Sequence, residues 1–322
     1  MRRKATFWSC ILLVLLSACS SPVIERAEPT LPLAEATPTL EAPAWPREFT
    51  DDLGRTVSLD EPPDAIVTLG ASLLESLFAI GAGDLIVGRD DTSTFPDEAL
   101  EITDIGSLFG ELPTEAIVAL EPDLILAPEV ISLEQVTALE ELGLKVYFQA
   151  NPADFEGLYD NLTVLGEITG HEAETEELIA GLEERVEGVV GRLEAVESQP
   201  RVFYELDATD PQSPWTAGPG TFIDMVISMA KGINIGSALD EDYAQISSEE
   251  LLAQDPEVIL LSDAIYGVTP ESVAARSGWE SISAVEAGRI YPIDPFLLSV
   301  PGPRLVDGLE EVARLLHPDL AP

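Results

Sequence analysis

One segment of the chain occurs twice. Thr114-Glu115-Ala116-Ile117-Val118-Ala119-Leu120-Glu121-Pro122-Asp123-Leu124-Ile125-Leu126 returns as Ser248-Glu249-Glu250-Leu251-Leu252-Ala253-Gln254-Asp255-Pro256-Glu257-Val258-Ile259-Leu260. Glu249 follows Glu115 by 134 residues, and no gap is needed between the copies. A fixed-offset echo signals repeated architecture and constrains the fold before any single residue does. Two copies are too few for a solenoid, and each has room for a domain of about 120 residues, an ordinary size. The expectation is two similar lobes with a cleft between them.

Each copy reads as helix, then buried strand. Thr114 or Ser248 is expected to cap a helix through its hydroxyl. Glu115 or Glu249 then lies in the first turn, where the helix dipole favours negative charge. Pro122 or Pro256 ends the helix, and the apolar run that follows suits a strand covered on both faces. This is half of a parallel α/β unit.

The N-terminus reads as targeting. Arg2, Arg3 and Lys4 precede an apolar stretch from Phe7 to Leu16, too short to span a bilayer, which takes about 20 apolar residues. The stretch ends in Leu16-Ser17-Ala18-Cys19, which resembles the bacterial lipoprotein box, with Cys19 as the lipidated residue; an ordinary secretory signal is the alternative. Only Cys10 and Cys19 occur, so the folded part is expected to hold no disulfide and no cysteine metal site. Residues 20–46 are rich in Pro, Ala, Thr and Glu and read as a disordered tether, with Trp45 a packing residue at its end. The chain has 59 acids against 16 bases, a net charge of −43. Such a surface repels nucleic acid and keeps the protein soluble.

Phe49 to Leu59 is expected to form a hairpin turning at Asp52-Leu53-Gly54-Arg55. Ala65 to Leu69 reads as a strand, and Ser72-Leu73-Leu74-Glu75 as a capping box opening a helix that stops at Gly81 and Gly83. Leu85 to Gly88 and Lys145 to Phe148 are further strands, with a helix over 136–142 between the first repeat unit and the latter. In the second half, Arg201 to Leu206 and Arg289 to Ile293 read as strands, Thr221-Phe222-Ile223-Asp224 as a second capping box, and Pro303 to Leu316 as a terminal helix. Between the halves, apolar residues three and four apart predict helices broken at Gly170. The stretch from Ala173 to Val196 alone makes a rod of about 36 Å, long enough to cross both lobes and limit their opening. The boundaries are 1–18 signal peptide, 19–47 tether, 48–152 first lobe, 153–197 connecting helices and 198–322 second lobe.

Signatures of catalysis are scarce. The two histidines, His171 and His317, read as surface caps, so a Ser-His-Asp triad has little to draw on. No nucleophile elbow and no P-loop occurs. Gly81-Ala82-Gly83 follows a helix instead of opening one. Gly218-Pro219-Gly220 precedes a helix and could present backbone N–H groups, without the spacing of a phosphate loop.

The lipobox, the tether, the D-x-G-R hairpin and the two repeat units joined by a long helix together resemble the cobalamin- and siderophore-binding proteins of bacterial ABC importers. These are substrate-binding proteins with a helical backbone. Residues 73–88, 213–235 and 284–291 carry further matching stretches, among them Ser213-Pro214-Trp215-Thr216-Ala217-Gly218. The resemblance implies two α/β lobes, each a mainly parallel sheet flanked by helices, joined by one long rigid helix. It also implies that Glu115 and Glu249 dock on arginines of a permease dimer coupled to an ATPase; on position alone each merely complements a helix dipole.

A cleft at the C-terminal ends of strands would be lined by Phe95, Phe109, Trp215, Tyr243, Tyr266 and Phe296, aromatics in Gly- and Pro-rich loops suited to a bulky ligand. Trp215 and Tyr243 match family positions that face corrinoid. Arg304 either anchors a carboxylate or amide of the ligand or faces solvent at a helix start. Trp279 reads as core. The resemblance implies a lipid-anchored, exported, monomeric solute-binding protein that holds no cofactor or metal of its own and catalyses nothing. Its transported ligand would be a cobalt corrinoid, with a ferric siderophore or haem as the alternative: zinc or manganese binders need histidines this chain lacks, and catecholates want several cleft arginines. An enzyme or an adhesion lipoprotein on the same scaffold is the competing class.

Overall fold

The computed structural model describes residues 44–320. The signal segment, Cys19 and nearly all of the tether fall outside the described residues. The hairpin is β1 (Arg47–Thr50) with β2 (Thr56–Leu59), and Gly54 takes the positive φ of +75° that its turn needs.

The first lobe continues as β3 (Ile66–Thr68), α1 (Ala71–Ala79), β4 (Ile86–Asp90), β5 (Thr103–Gly106), α2 (Thr114–Ala119), β6 (Leu124–Pro128), α3 (Leu133–Glu141) and β7 (Val146–Gln149). Its strands form one parallel sheet in the order β5-β4-β3-β6-β7. After α4 (Phe155–Thr169) and α5 (Glu172–Leu193) come β8 (Arg201–Glu205), β9 (Trp215–Ala217), α6 (Phe222–Met229), β10 (Ile233–Asn234), β11 (Tyr243–Gln245), α7 (Ser248–Gln254), β12 (Val258–Leu261), α8 (Pro270–Ala274), α9 (Ser283–Glu286), β13 (Ile290–Pro292), α10 (Phe296–Ser299) and α11 (Leu305–Leu316). The second sheet is parallel in the order β10-β8-β12-β13, and β9 and β11 form a separate antiparallel ribbon.

The duplication survives in the coordinates. The strand order β4-β3-β6-β7 of the first lobe matches β10-β8-β12-β13 of the second, and β5 is an extra edge strand. The turn after each repeat helix holds a non-glycine residue at positive φ, Glu121 at 48° and Asp255 at 45°. Both precede the proline of their repeat, and such residues are uncommon in this region.

Both sheets are apolar on both faces, as parallel strands require. One face of the first packs Val67, Ile125 and Ala127 under α2 and α3, and one face of the second packs Phe203, Ile259 and Leu261 with Trp279. The other two faces share a single core. Ile66, Leu124 and Leu126 from one sheet and Val202, Tyr204 and Leu260 from the other belong to one cluster, completed by buried residues of α1, α4, α5 and α11. The join between the lobes is therefore two helices and a common interior. α4 ends at Gly170 in the left-handed conformation, and α5, at 22 residues, is the long rod.

Four local expectations need correction. Thr221 accepts from the Asp224 N–H at 3.1 Å, but the Asp224 carboxylate accepts from Asn234 and Ser237 instead of completing a capping box. Thr114 and Ser248 are first helical residues and not caps: α2 is preceded by Pro113 with no side-chain cap, and Ser247 is the residue whose hydroxyl accepts from the Glu250 N–H. Ser248 instead donates its hydroxyl to the Pro211 carbonyl at 3.1 Å. Ser72 and Glu75 form no capping box, because α1 opens at Gly70 and Glu75 turns inward. His317 is no surface cap; it is buried with Nε2 2.9 Å from the Ala230 carbonyl, which ties α11 to the end of α6.

Candidate functional site

The six aromatics follow strands of the two sheets, but only Phe95 and Phe109 lie in loops: Trp215 opens β9, Tyr243 opens β11, Tyr266 ends a short 3-10 turn and Phe296 opens α10, so the expectation of loop placement fails for those four. Phe95 lies past β4, Phe109 past β5, Trp215 past β8, Tyr243 past β10, Tyr266 past β12 and Phe296 past β13. All six are exposed, Phe109 at 78% and Tyr266 at 84%. Large aromatics left in water are the informative exception in a folded chain. Trp279, by contrast, is fully buried and meets Phe203 edge-on with centroids 6.1 Å apart. Trp45 packs at the rim of the shared core, 6.3 Å from Phe49.

The aromatics meet in smaller groups. β9 and β11 pair Trp215 with Gln245 and Ala217 with Tyr243, which puts Trp215 and Tyr243 on one face of the ribbon as diagonal neighbours. A pocket of about 240 Å³ joins Phe109, Val130 and the Gly70–Ser72 turn of the first lobe to Ser299, Val300 and Pro301 of the second. Gly70 is required here: its φ is +130°, and a Cβ would sit 2.8 Å from Pro128.

Beside this pocket, Arg304 crosses between lobes. Its Nε donates to Glu75 Oε2 at 2.7 Å and its Nη2 to Glu75 Oε1 at 2.5 Å, a bidentate fork. The guanidinium lies 4.0 Å from the Phe95 ring centroid, within cation–π range. Asp294 approaches to 4.0 Å, and Phe296 donates its N–H to the Asp294 carboxylate at 2.9 Å. Arg304 is thus neither a solvent-facing helix residue nor a free cation. Burial pushes the Glu75 carboxyl above its usual range, against the pull of Arg304. One signal for this pair was available: an acid flanked by Leu73, Leu74 and Leu77 on an apolar helix needs a buried partner.

The other two arginines near strand ends are also taken. Arg89, at the end of β4, donates to the Ala99 and Asp90 carbonyls at 2.8 and 2.9 Å and lies 3.6 Å from Asp104. Arg276 holds the fully buried Glu205 at the end of β8 in a second bidentate pair, and its guanidinium lies 4.6 Å from the Trp279 ring. Asp263 is buried beside Glu205, accepts from the Ala208 N–H at 3.2 Å, and keeps Oδ1 unpartnered among the described residues. Burial raises the carboxyls of both Glu205 and Asp263. Tyr243 is raised too, by burial and by the charge of Asp242.

Glu115 and Glu249 project from the first turns of α2 and α7, both exposed and with no ion-pair partner among the described residues. Gly218, in the glycine loop before α6, has its N–H bonded to the Asp242 carbonyl at 2.7 Å, so that donor is not free. Among the described residues no cluster of His, Cys, Asp or Glu is spaced to hold a metal ion. None of the described helices is long and apolar enough to cross a membrane.

A family model described as periplasmic binding protein matches residues 66–296. The uncharacterised ABC transporter substrate-binding lipoprotein YvrC of Bacillus subtilis is 27% identical over 99% of this chain and 99% of its own length. A cobalamin-binding protein of Halobacterium salinarum is 26% identical, over 98% of this chain and 85% of its own length. Among solved structures, a periplasmic haem-binding protein of Pseudomonas aeruginosa superposes with a TM-score of 0.69 at 27% identity, over 81% of this chain and 95% of that one.

Proposed function

The chain belongs to the periplasmic binding protein family, and from that premise we propose that it captures a corrinoid between its lobes and hands it to an ABC permease. The observation that supports this reading is six exposed aromatics that follow strands of both sheets, together with three arginines, Arg89, Arg276 and Arg304, that are all paired. Apolar walls with a few polar anchors suit a bulky ligand. With Arg89, Arg276 and Arg304 each neutralised within the protein, a nearly neutral ligand is favoured over a polyanion. The relative named for cobalamin supports the same choice.

Haem is the second reading, favoured by the fold's likeness to a haem-binding protein and by exposed Tyr243 and Tyr266. Tyrosine binds haem iron as the phenolate, and the raised Tyr243 phenol resists that ionisation. A ferric siderophore stands behind both. In this reading Glu115 and Glu249, matched acids on matched helices, dock on the two permease subunits, and lipid on Cys19 holds the monomer at the membrane. The six aromatics contact ligand; Arg304, held by Glu75, braces the wall at Phe95.

Titration of the purified protein with cyanocobalamin, haemin and a ferric siderophore, followed by absorbance and calorimetry, tests the assignment. Tight binding of cyanocobalamin alone is expected. Preference for haemin or the siderophore would replace the corrinoid, and no binding of any of the three would end the reading.

A further inference from the structure

Among the groups at the cleft floor, the pair formed by Glu75 and Arg304 is set apart by its position. Glu75 comes from the second turn of α1 in the first lobe, and Arg304 precedes α11 in the second. They are 229 residues apart in sequence. The Glu75 side chain is 3% exposed, whereas that of Arg304 retains 15% and is carried outward against Phe95, whose ring is 46% exposed. The acid sits inside and the base at the edge of the cleft. Two other acids act on Arg304: Asp294, 4.0 Å away with its side chain 47% exposed, and Asp307, 43% exposed and held by Arg185. Their attraction is screened by water, that of the buried Glu75 much less.

We propose that Glu75 is the specificity-determining residue for ligand charge: by occupying Arg304 from beneath, it withholds from the ligand the cation stacked on Phe95 at the cleft wall. The proposal rests on the cleft being the ligand site and deepens the corrinoid reading by naming the ligand class as one without carboxylate at the Phe95 wall. Removing the Glu75 charge would leave Arg304 stacked on Phe95 with only exposed, water-screened acids near it. An anionic group arriving there would then meet a charge-assisted donor in place of a neutralised pair.

The test uses a matched ligand set: cyanocobalamin, and its three monocarboxylic acids in which one peripheral propionamide is hydrolysed. Each acid of the set carries its charge at a different edge of the corrin ring. For each protein the quantity read is the ratio of the acid's Kd to that of the amide, so a general loss of stability or affinity cancels. Wild type should bind at least one acid about 10-fold more weakly than the amide, a typical scale for a close charge effect. E75Q should bring that ratio close to one. E75D, which keeps the charge, should retain the wild-type ratio, and E75Q/R304Q should restore it. Ratios unchanged in E75Q for all three acids would overturn the proposal while leaving the corrinoid reading intact. Absence of wild-type binding to every member of the set would remove that reading and the proposal with it.

Discussion

Replacing Arg276 with Met should turn a quiet buried ion pair into a pH-sensitive defect. Glu205 is wholly inaccessible at the end of β8, and Arg276 supplies both of its charge-assisted hydrogen bonds. The carboxylate of Asp263 is buried alongside with one oxygen unpartnered. Removing one member of such a pair costs about 3–5 kcal/mol, because the charge left behind is desolvated and uncompensated. At about 2.1 cal/mol/K of unfolding entropy per residue, that is a fall in Tm of roughly 5–9 °C.

The sign of the pH dependence follows from burial, which already holds Glu205 and Asp263 above their ordinary carboxyl ranges. A carboxyl raised in the folded state penalises folding above its folded pKa, and the penalty fades as pH falls toward the unfolded value. The loss in R276M should therefore be smaller at pH 5 than at pH 7. E205L/R276M, with both charges gone, should recover most of the stability. Urea unfolding followed by far-UV circular dichroism at the two pH values measures all of this. A loss equal at pH 5 and pH 7, or no loss at pH 7, would refute the assignment of a buried, uncompensated carboxylate.

Two further outcomes are expected of the proposed transport role. Charge reversal at both docking positions, E115R/E249R, should abolish permease-dependent uptake and leave corrinoid affinity within about twofold, since both side chains are exposed and clear of the cleft; loss of affinity would contradict docking. Truncation of the ribbon aromatics, W215A/Y243A, should weaken cyanocobalamin binding by about 2 kcal/mol or more, as for central aromatic anchors, with Tm nearly unchanged because neither ring is core. Calorimetry and a melting curve on the same sample separate the two effects.

What the sequence disclosed was what glycine, proline and periodicity enforce locally. The turn at Gly54, the helix ends at Gly81, Gly143 and Gly170, and the strands of the repeat could each be read from a few neighbouring residues. Of the aromatics expected in loops, only Phe95 and Phe109 lie in one; Trp215 and Tyr243 pair as strands, and partners that far apart in sequence cannot be read from their neighbours. Local ambiguity misplaced the caps: Ser247 and Ser248 are adjacent, and only the backbone decides which hydroxyl faces the helix N-terminus. Ser132-Leu133-Glu134-Gln135 carried the pattern of a capping box, and its two reciprocal hydrogen bonds form. Long-range partners were out of reach. Glu75 meets Arg304 across most of the chain, and His317 finds the Ala230 carbonyl 87 residues upstream. A pattern confined to a window of residues cannot register such pairings.

The interior shared by α1, α4, α5 and α11 makes the two halves inseparable. Their strand orders match, yet each presents to the other an oily surface that water would not tolerate. Severed between α5 and β8, neither fragment should persist in solution alone, and the pair should regain structure only when mixed. The whole is then expected to melt in one step, and the repeated architecture to behave as one cooperative body.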